Sequence, residues 1–185
     1  MSDTGASPPK IVVRDAGEAD MPAVQAIYAH YVLGALATFE ETPPTLADMI
    51  ARRRKSVENG LPYLVAERDG ETLGFAYAGP YHARPAYRFT VEDSVYVAED
   101  ARGRGVGSAL LGALIERCER GPWRQMLAVV GDSANAGSIR LHLRFGFEPV
   151  GVMRSVGFKF GRWVDTPILQ RRLGPGDGSI PTTPR

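Results

Sequence analysis

The sequence has little of the chemistry that disulfide-linked, metal-binding or membrane-spanning proteins depend on. Cys118 is the one cysteine, so no internal disulfide can form. The chain contains no Cys-x-x-Cys pair and no cluster of cysteine and histidine, and we therefore expect no bound metal. No apolar run approaches the roughly 18 residues of a membrane helix. These absences favour a reducing compartment, and we expect the protein to be cytoplasmic.

An excess of charge of one sign is also missing. The chain carries 22 basic and 21 acidic side chains, for a formal net charge of +1. No overall field would attract nucleic acid or an anionic membrane, so neither is an expected partner. A hydrophobic content of 44% and a charged content of 23% are typical of globular domains. Any anion site must therefore be built locally.

The distribution of apolar residues predicts one domain between two tails. Segments 1–10 and 174–185 are rich in Gly, Pro, Ser and Thr and are predicted to be flexible, which leaves a single domain over 11–173. Apolar periodicities in that domain predict about six or seven strands and about four helices. The fold class is thus α/β (α+β), with a mixed central sheet.

Sequential strands make the first half of this sheet largely antiparallel. Alternating apolar residues at 61–68, 72–78 and 88–97 are separated by short connections, which is typical of a meander. Later strands are predicted at 147–153 and 164–173, joined through 156–163.

A glycine-rich turn follows the strand that ends at Val97 and precedes an amphipathic helix. The turn consists of Arg102, Gly103, Arg104, Gly105, Val106 and Gly107. Its glycines permit close backbone approach, and the helix N-terminus and two arginines suit a pyrophosphate. A plain glycine turn with left-handed backbone is the alternative. The absence of Gly-Lys-Ser/Thr argues against a P-loop, and the Gly-x-Gly-x-Gly spacing disfavours a dinucleotide fold.

This turn and a later motif resemble the GNAT superfamily of acetyl-CoA-dependent N-acetyltransferases. Arg102-x-x-Gly105-x-Gly107 is similar to the superfamily's pyrophosphate motif. The next motif has its counterpart in Asn135-x-x-Ser138-x-x-Leu141-His142-x-x-x-Gly146-Phe147. The order and separation of the two also match. The resemblance implies a GNAT fold with acetyl-CoA as the cofactor.

Further segments narrow the resemblance to the phosphinothricin and methionine sulfoximine N-acetyltransferase group. They are Ile27-Tyr28, Thr38-Phe39-Glu40, Arg84-x-Ala86-Tyr87, Thr90-Val91-Glu92-x-Ser94-Val95-Tyr96-Val97, Leu141-His142 and Val156-Gly157-x-Lys159-x-Gly161-x-Trp163-x-Asp165. They span nearly everything between the tails. Pro85 and the pair Arg88-Phe89 depart from the expected pattern, which leaves the substrate's identity open.

Two residues are candidates for proton transfer. An amine with a pKa near 10.4 is neutral in roughly one molecule in 2,500 at pH 7, so acetyl transfer benefits from a base. The resemblance places Glu92 facing the amine; an outward-facing strand carboxylate is the alternative. His142 occupies the place of a tyrosine that protonates the leaving thiolate in many members. A hydrogen-bonded packing histidine is the alternative there.

The resemblance also implies binding roles. Val95, Tyr96 and Val97 would pair with the pantetheine through their backbone, the glycine turn would hold the pyrophosphate, and Asn135 and Ser138 would contact the cofactor. Helix capping by Asn135 and close helix packing at Ser138 are simpler readings. The candidates for the acceptor site are Phe39, Arg84, Tyr87, Arg88, Thr90 and Lys159. The arginines are otherwise surface charges, and Lys159 can act in a neighbouring subunit, since the group is commonly dimeric.

We therefore expect an N-acetyltransferase that acts on the amine of a small amino-acid-like substrate, namely phosphinothricin, methionine sulfoximine or methionine sulfone. Cys118 lies on the apolar face of a predicted helix, which indicates an inert thiol and favours direct transfer in a ternary complex. The alternatives are an acetyltransferase for another amine or a protein N-terminus, and a non-catalytic acyl-CoA sensor. A homodimer is expected.

Overall fold

The structure, a computed structural model, describes residues 10–181; residues 1–9 and 182–185, which belong to the two predicted tails, lie outside the described residues. The strands are β1 (Val12–Asp15), β2 (Tyr63–Arg68), β3 (Glu71–Pro80), β4 (Thr90–Val97), β5 (Gln125–Val129), β6 (Glu148–Lys159) and β7 (Arg162–Arg172). The helices are α1 (Met21–Gly34), α2 (Leu46–Glu58), α3 (Val106–Glu119) and α4 (Ala136–Arg144). The predicted fold class is confirmed.

Local sequence signals account for the ends of α2. Thr45 caps its N-terminus by accepting a hydrogen bond from the Asp48 backbone N–H at 3.2 Å, while the Thr45 N–H donates to the Asp48 carboxylate at 2.9 Å. This reciprocal pair is a capping box. Beyond the C-terminus, Gly60 has a φ of 71°, a left-handed conformation that favours glycine.

The sheet has the strand order β1-β2-β3-β4-β5-β7-β6. All neighbouring strands are antiparallel except β4 and β5, which are parallel. Their parallel direction requires a crossover, and α3 supplies it. The β4–β5 pairing ends at Asp93 and Ala128, although β4 continues to Val97. The two strands therefore separate and leave a gap in the middle of the sheet.

Apolar side chains cover both faces of the sheet. Leu110 and Leu114 of α3 pack with Val91 on one face, whereas Val24 of α1 belongs to the cluster that contains Tyr96 on the other. Because side chains along a strand alternate between faces, Glu92 lies on the α1 and α2 side and Asp93 on the α3 side. One strand thus presents neighbouring carboxyl groups to opposite layers.

The predicted connection over 156–163 is wrong, because most of it is strand. β6 extends to Lys159, and β7 begins at Arg162. The tight turn between them contains Phe160 at φ 52° and Gly161 at φ 71°, as in a two-residue hairpin. Outward-facing apolar residues and an irregular register between Met153 and Gly157 hide the strand pattern in the sequence.

Candidate active site

The gap between β4 and β5 opens into a cleft of about 980 Å³. The structure brings most of the predicted cofactor residues to its walls: Val95, Tyr96, Val97, Arg102, Gly103, Gly105, Val106, Gly107, Asn135 and Ser138. Arg104, the remaining one, lies within the glycine turn but is exposed and does not line the cleft. The end of β4 and the glycine turn, which are close in sequence, therefore form one site with the start of α4, about 30 residues further along the chain.

The glycine turn has the geometry of an anion cradle. Gly103 and Gly105 have φ angles of 74° and 86°, in the left-handed region. Gly105 is the N-cap residue of α3, and among the described residues no side chain caps this helix. The first N–H groups of α3 are thus available to phosphate oxygens at the positive end of the helix. Arg102 adds a cation, with its guanidinium 5.2 Å from the centre of the Tyr31 ring. These residues fit the pyrophosphate of acetyl-CoA.

Tyr31 lines the cleft and bonds to the backbone of β4, although the sequence did not identify it as a site residue. Its hydroxyl donates to the Val97 carbonyl at 2.8 Å and accepts from the Val97 N–H at 3.3 Å. The backbone of Val97 is therefore already bonded, and Val95, two residues earlier along the same strand edge, has the better placed groups for a ligand. In the sequence Tyr31 is part of an apolar helical stripe, which predicts packing only.

α4 borders the cleft at its start and carries His142, which forms a buried pair with Asp93 of β4. Asn135 Oδ1 accepts from the Ser138 N–H at 3.2 Å, which confirms the predicted helix cap. His142 is buried, with Nδ1 lying 2.8 Å from the Ser138 carbonyl and Nε2 lying 2.9 Å from Asp93 Oδ2. Because a carbonyl only accepts, Nδ1 carries a hydrogen. A second hydrogen must lie between Nε2 and Asp93.

The environment of His142 has opposing effects on its pKa. Burial lowers the pKa of His142, but the hydrogen bond and charge of Asp93 and the bond to Ser138 outweigh burial, and the pKa is raised. Sequence reasoning missed Asp93. The available signal was a second carboxyl group next to Glu92 in a strand whose other residues are uncharged.

Glu92 lies on the other face of β4. Burial, and then the charge of Asp93, raise the pKa of Glu92 to about 7. The side chain is only partly buried, so it remains accessible from the α1 and α2 side. A carboxyl group that titrates near neutral pH is suited to accept a proton from an amine at that pH.

Phe39 and Lys159 lie where the segment after α1 contacts β6. Phe39 belongs to the segment 35–45 between α1 and α2, and its ring lies over Gly157 of β6. The Lys159 ammonium donates to the carbonyls of Ala35 at 2.9 Å and Thr38 at 2.8 Å, within the same subunit. Lys159 is 1% exposed. Burial lowers its pKa, against smaller opposite effects of nearby glutamates.

The other acceptor-site candidates lie at the N-terminal end of β4. Thr90 is the first residue of that strand. Arg84, Tyr87 and Arg88 lie in the exposed connection from β3, around a short 3-10 turn. The Arg88 guanidinium stacks on Phe89, 4.6 Å from the ring centre. None of these four residues lines the cofactor cleft of the described chain.

Other chemistries find little support within residues 10–181. No group of three or more His, Cys, Asp and Glu side chains there could hold a metal ion. None of the helices in this range is both long and apolar enough to cross a membrane. Cys118 is buried, and burial raises the pKa of its thiol to about 12. A protonated thiol is a poor nucleophile.

The fold and the site together define a CoA-dependent acyltransferase, in which a split sheet and a phosphate turn border a carboxyl group with a pKa near neutrality. The chain belongs to the acetyltransferase (GNAT) family, whose model matches residues 24–147. It is an acetyl-CoA-dependent N-acetyltransferase.

Three comparisons with known proteins agree with this assignment. The chain is 59% identical to phosphinothricin N-acetyltransferase of Alcaligenes faecalis, covering 92% of this chain and 85% of the relative. It is 46% identical to an L-methionine sulfoximine/L-methionine sulfone acetyltransferase of Pseudomonas paraeruginosa, over 88% and 95%. The crystal structure of a phosphinothricin acetyltransferase from Sinorhizobium meliloti with acetyl-CoA has a TM-score of 0.90 and 47% identity, covering 93% of each chain.

Proposed function

We propose that the enzyme acetylates the amine of a small amino-acid-like acceptor such as phosphinothricin, methionine sulfoximine or methionine sulfone. The observation that carries the proposal is Glu92, a partly buried carboxyl group with a pKa of about 7 on the face of β4 opposite Asp93 and the α3 layer. The acceptor would approach from the α1 and α2 side and meet the thioester at the gap between β4 and β5. The names of the two curated relatives supply the acceptor class.

In the proposed reaction Glu92 takes the proton that the attacking amine loses. The amine nitrogen forms a C–N bond to the thioester carbonyl carbon, the C–S bond breaks, and the thiolate leaves. The Val95 backbone N–H, at the edge of β4 where β5 has separated, would polarise the thioester carbonyl. Direct transfer needs no protein nucleophile, in agreement with the buried, protonated thiol of Cys118.

The contacts of His142 limit its part in the protonation of the thiolate. Both ring nitrogens are bonded within the protein, to Ser138 and to Asp93. His142 could deliver a proton only after its bond to Asp93 opens. We therefore propose that a solvent water, and not His142, protonates the thiolate. The role of His142 in this scheme is to fix the wall of the cleft.

The positions of the arginines suggest which of them bind the cofactor and which bind the acceptor. Arg102 and the glycine turn would hold the pyrophosphate, with Arg104 as a more distant cation. Arg84 and Arg88, exposed near the start of β4, would attract the acid groups of the acceptor. Phe39, Tyr87 and Thr90 would form walls of the acceptor pocket.

The edge strand β6 favours a homodimer. It ends the sheet, and its exposed apolar residues include Val152, Val156 and Phe158, which are 46%, 52% and 56% exposed. Trp163 on β7 is 67% exposed. A long apolar edge strand is prone to pair with another chain, and a second copy of β6 is its proposed partner. We place the dimer in the cytoplasm.

A thiol-release assay tests the proposed acceptor class. Wild-type enzyme and acetyl-CoA are mixed with methionine sulfone, with phosphinothricin, or with a short peptide bearing a free N-terminus. We expect CoA release with both amino acids and far less with the peptide. Release with the peptide alone would favour the protein N-terminus as the acceptor, and no release with any amine would favour an acyl-CoA sensor.

A further inference from the structure

The segment 35–45 borders the cofactor cleft at one end and contacts β6 near the other. Ala35, Leu36 and Ala37 line the cofactor cleft, and Phe39, two residues further along, lies over Gly157 of β6. The segment contains no helix or strand of its own, and its shape therefore depends on contacts with the rest of the chain. Under the function proposed above, its position would affect both the cofactor and the acceptor.

We propose that Lys159 is a positioning residue that fixes this segment and does not bind the acceptor's carboxylate; the consequence for catalysis rests on the function proposed above. Two of the three N–H groups of its ammonium donate to the carbonyls of Ala35 and Thr38, and the residue is 1% exposed. A substrate carboxylate would have to reach a side chain enclosed by its own subunit. The two carbonyls, 124 and 121 residues away in sequence, are instead tied to β6.

Two glycines show how closely the same segment lies against the sheet. A Cβ atom on Gly157 would lie 2.5 Å from Cζ of Phe39, and one on Gly131 would lie 2.1 Å from the Leu36 carbonyl oxygen. Neither position can carry a side chain without movement of the segment or of the Phe39 ring. Lys159 thus fixes a segment that β6 and the end of β5 are shaped to receive.

The opposite side of the segment is held by α1 and α2. The Tyr28 hydroxyl lies 2.9 Å from Thr38 Oγ1 and donates to Glu40 Oε1 at 2.9 Å. Arg52 donates to both oxygens of Glu40, at 2.6 and 3.1 Å. The segment is therefore clamped between the helices and β6, and Lys159 supplies the β6 side of the clamp.

The test compares Lys159→Met with Lys10→Met, the same change at an exposed site. One readout is amide hydrogen exchange in residues 35–42. The other is kcat/KM with methionine sulfone and with 3-(methylsulfonyl)propylamine, the matching amine without a carboxylate. We expect faster exchange in the segment and an equal loss of kcat/KM for both acceptors, about tenfold to a hundredfold, because misplacement by about 1 Å costs that much. Lys10→Met should match the wild type.

A loss confined to the carboxylate-bearing acceptor, with unchanged exchange, would overturn the proposal and make Lys159 a substrate ligand. If K159M does not fold, Lys159→Gln, which keeps two N–H donors on a shorter side chain, is used for the same two readouts. Gly157→Ala should give the same uniform loss by displacing Phe39, with Gly17→Ala as its control, since a Cβ atom on Gly17 would make no contact shorter than 3.6 Å. If wild type acetylates neither acceptor, the proposed function fails, and hydrogen exchange alone decides the role of Lys159.

Discussion

The imidazole of His142 and the carboxyl group of Asp93 form a buried pair, with 2.9 Å between Nε2 and Oδ2. The pair joins α4, which borders the cofactor cleft, to β4, which carries Glu92 on its other face. The charge of Asp93 also contributes to the raised pKa of Glu92. One buried contact therefore links the wall of the cleft to the residue proposed as the base.

Loss of Asp93 should destabilise the protein in a pH-dependent way. The pKa of His142 is raised in the folded state, so the pair contributes its full stability below the unfolded pKa of about 6.5 and loses it as pH rises through the folded value. We expect Asp93→Asn to lower the free energy of unfolding by about 3–5 kcal/mol near pH 6, as for a broken buried pair, and by less near pH 9. Urea unfolding at the two pH values measures this difference. Asp100→Asn, at an exposed site, is the control, and a deficit that grows with pH would contradict the assignment.

Gly105→Ala should weaken cofactor binding. Gly105 has a left-handed φ of 86°, a conformation that costs an alanine about 1–2 kcal/mol. The variant can relieve this strain if the turn leaves its anion-binding shape, and the same energy corresponds to a factor of about 5–30 in affinity. We expect the KM for acetyl-CoA to rise by that factor. Gly70→Ala introduces similar strain at φ 81° in the β2–β3 turn and should leave this KM unchanged. Equal effects of the two variants would mean that the turn has no special role.

A negative charge introduced on β6 should dissociate the proposed dimer. Phe158→Glu places a carboxylate in the exposed apolar surface, and a self-complementary contact would bring two such charges together. Light scattering after size exclusion should show the wild type at twice the chain mass and the variant at the mass of one chain. The control is Val12→Glu, which makes the same kind of change on β1, the other edge strand, where Val12 is 49% exposed. This variant should keep the mass of the wild type. A wild type that runs as a monomer would refute the dimer.

The sequence predicted the layers of this fold better than the contacts within its site. The capping pair of Thr45 and Asp48 and the glycines around Gly105 are local signals, because a cap or a left-handed turn depends on a few adjacent residues. The bond from Tyr31 to Val97 spans 66 residues, and the contact between Asp93 and His142 spans 49. Such long-range contacts have no periodicity that one sequence could reveal. The carbonyl contacts of Lys159 are hidden for the same reason.

The pH dependence of Glu92→Gln tests the proposed base. Glu92 acts in its ionised form, so wild-type kcat/KM for methionine sulfone should rise as pH increases through about 7. The variant should lack that step and be slower by about 100- to 10,000-fold. Ionisation of Glu92 above its raised pKa disfavours the folded state, so the variant should be at least as stable as wild type near pH 8, which controls for misfolding.

The measurement that tests the account most directly is this comparison of kcat/KM for wild type and Glu92→Gln with methionine sulfone, from about pH 6 to pH 9. The account predicts a rise near pH 7 in the wild type that disappears in the variant, together with the large loss of rate. A variant with wild-type rates and the same pH profile would contradict the role of Glu92 as the proton acceptor.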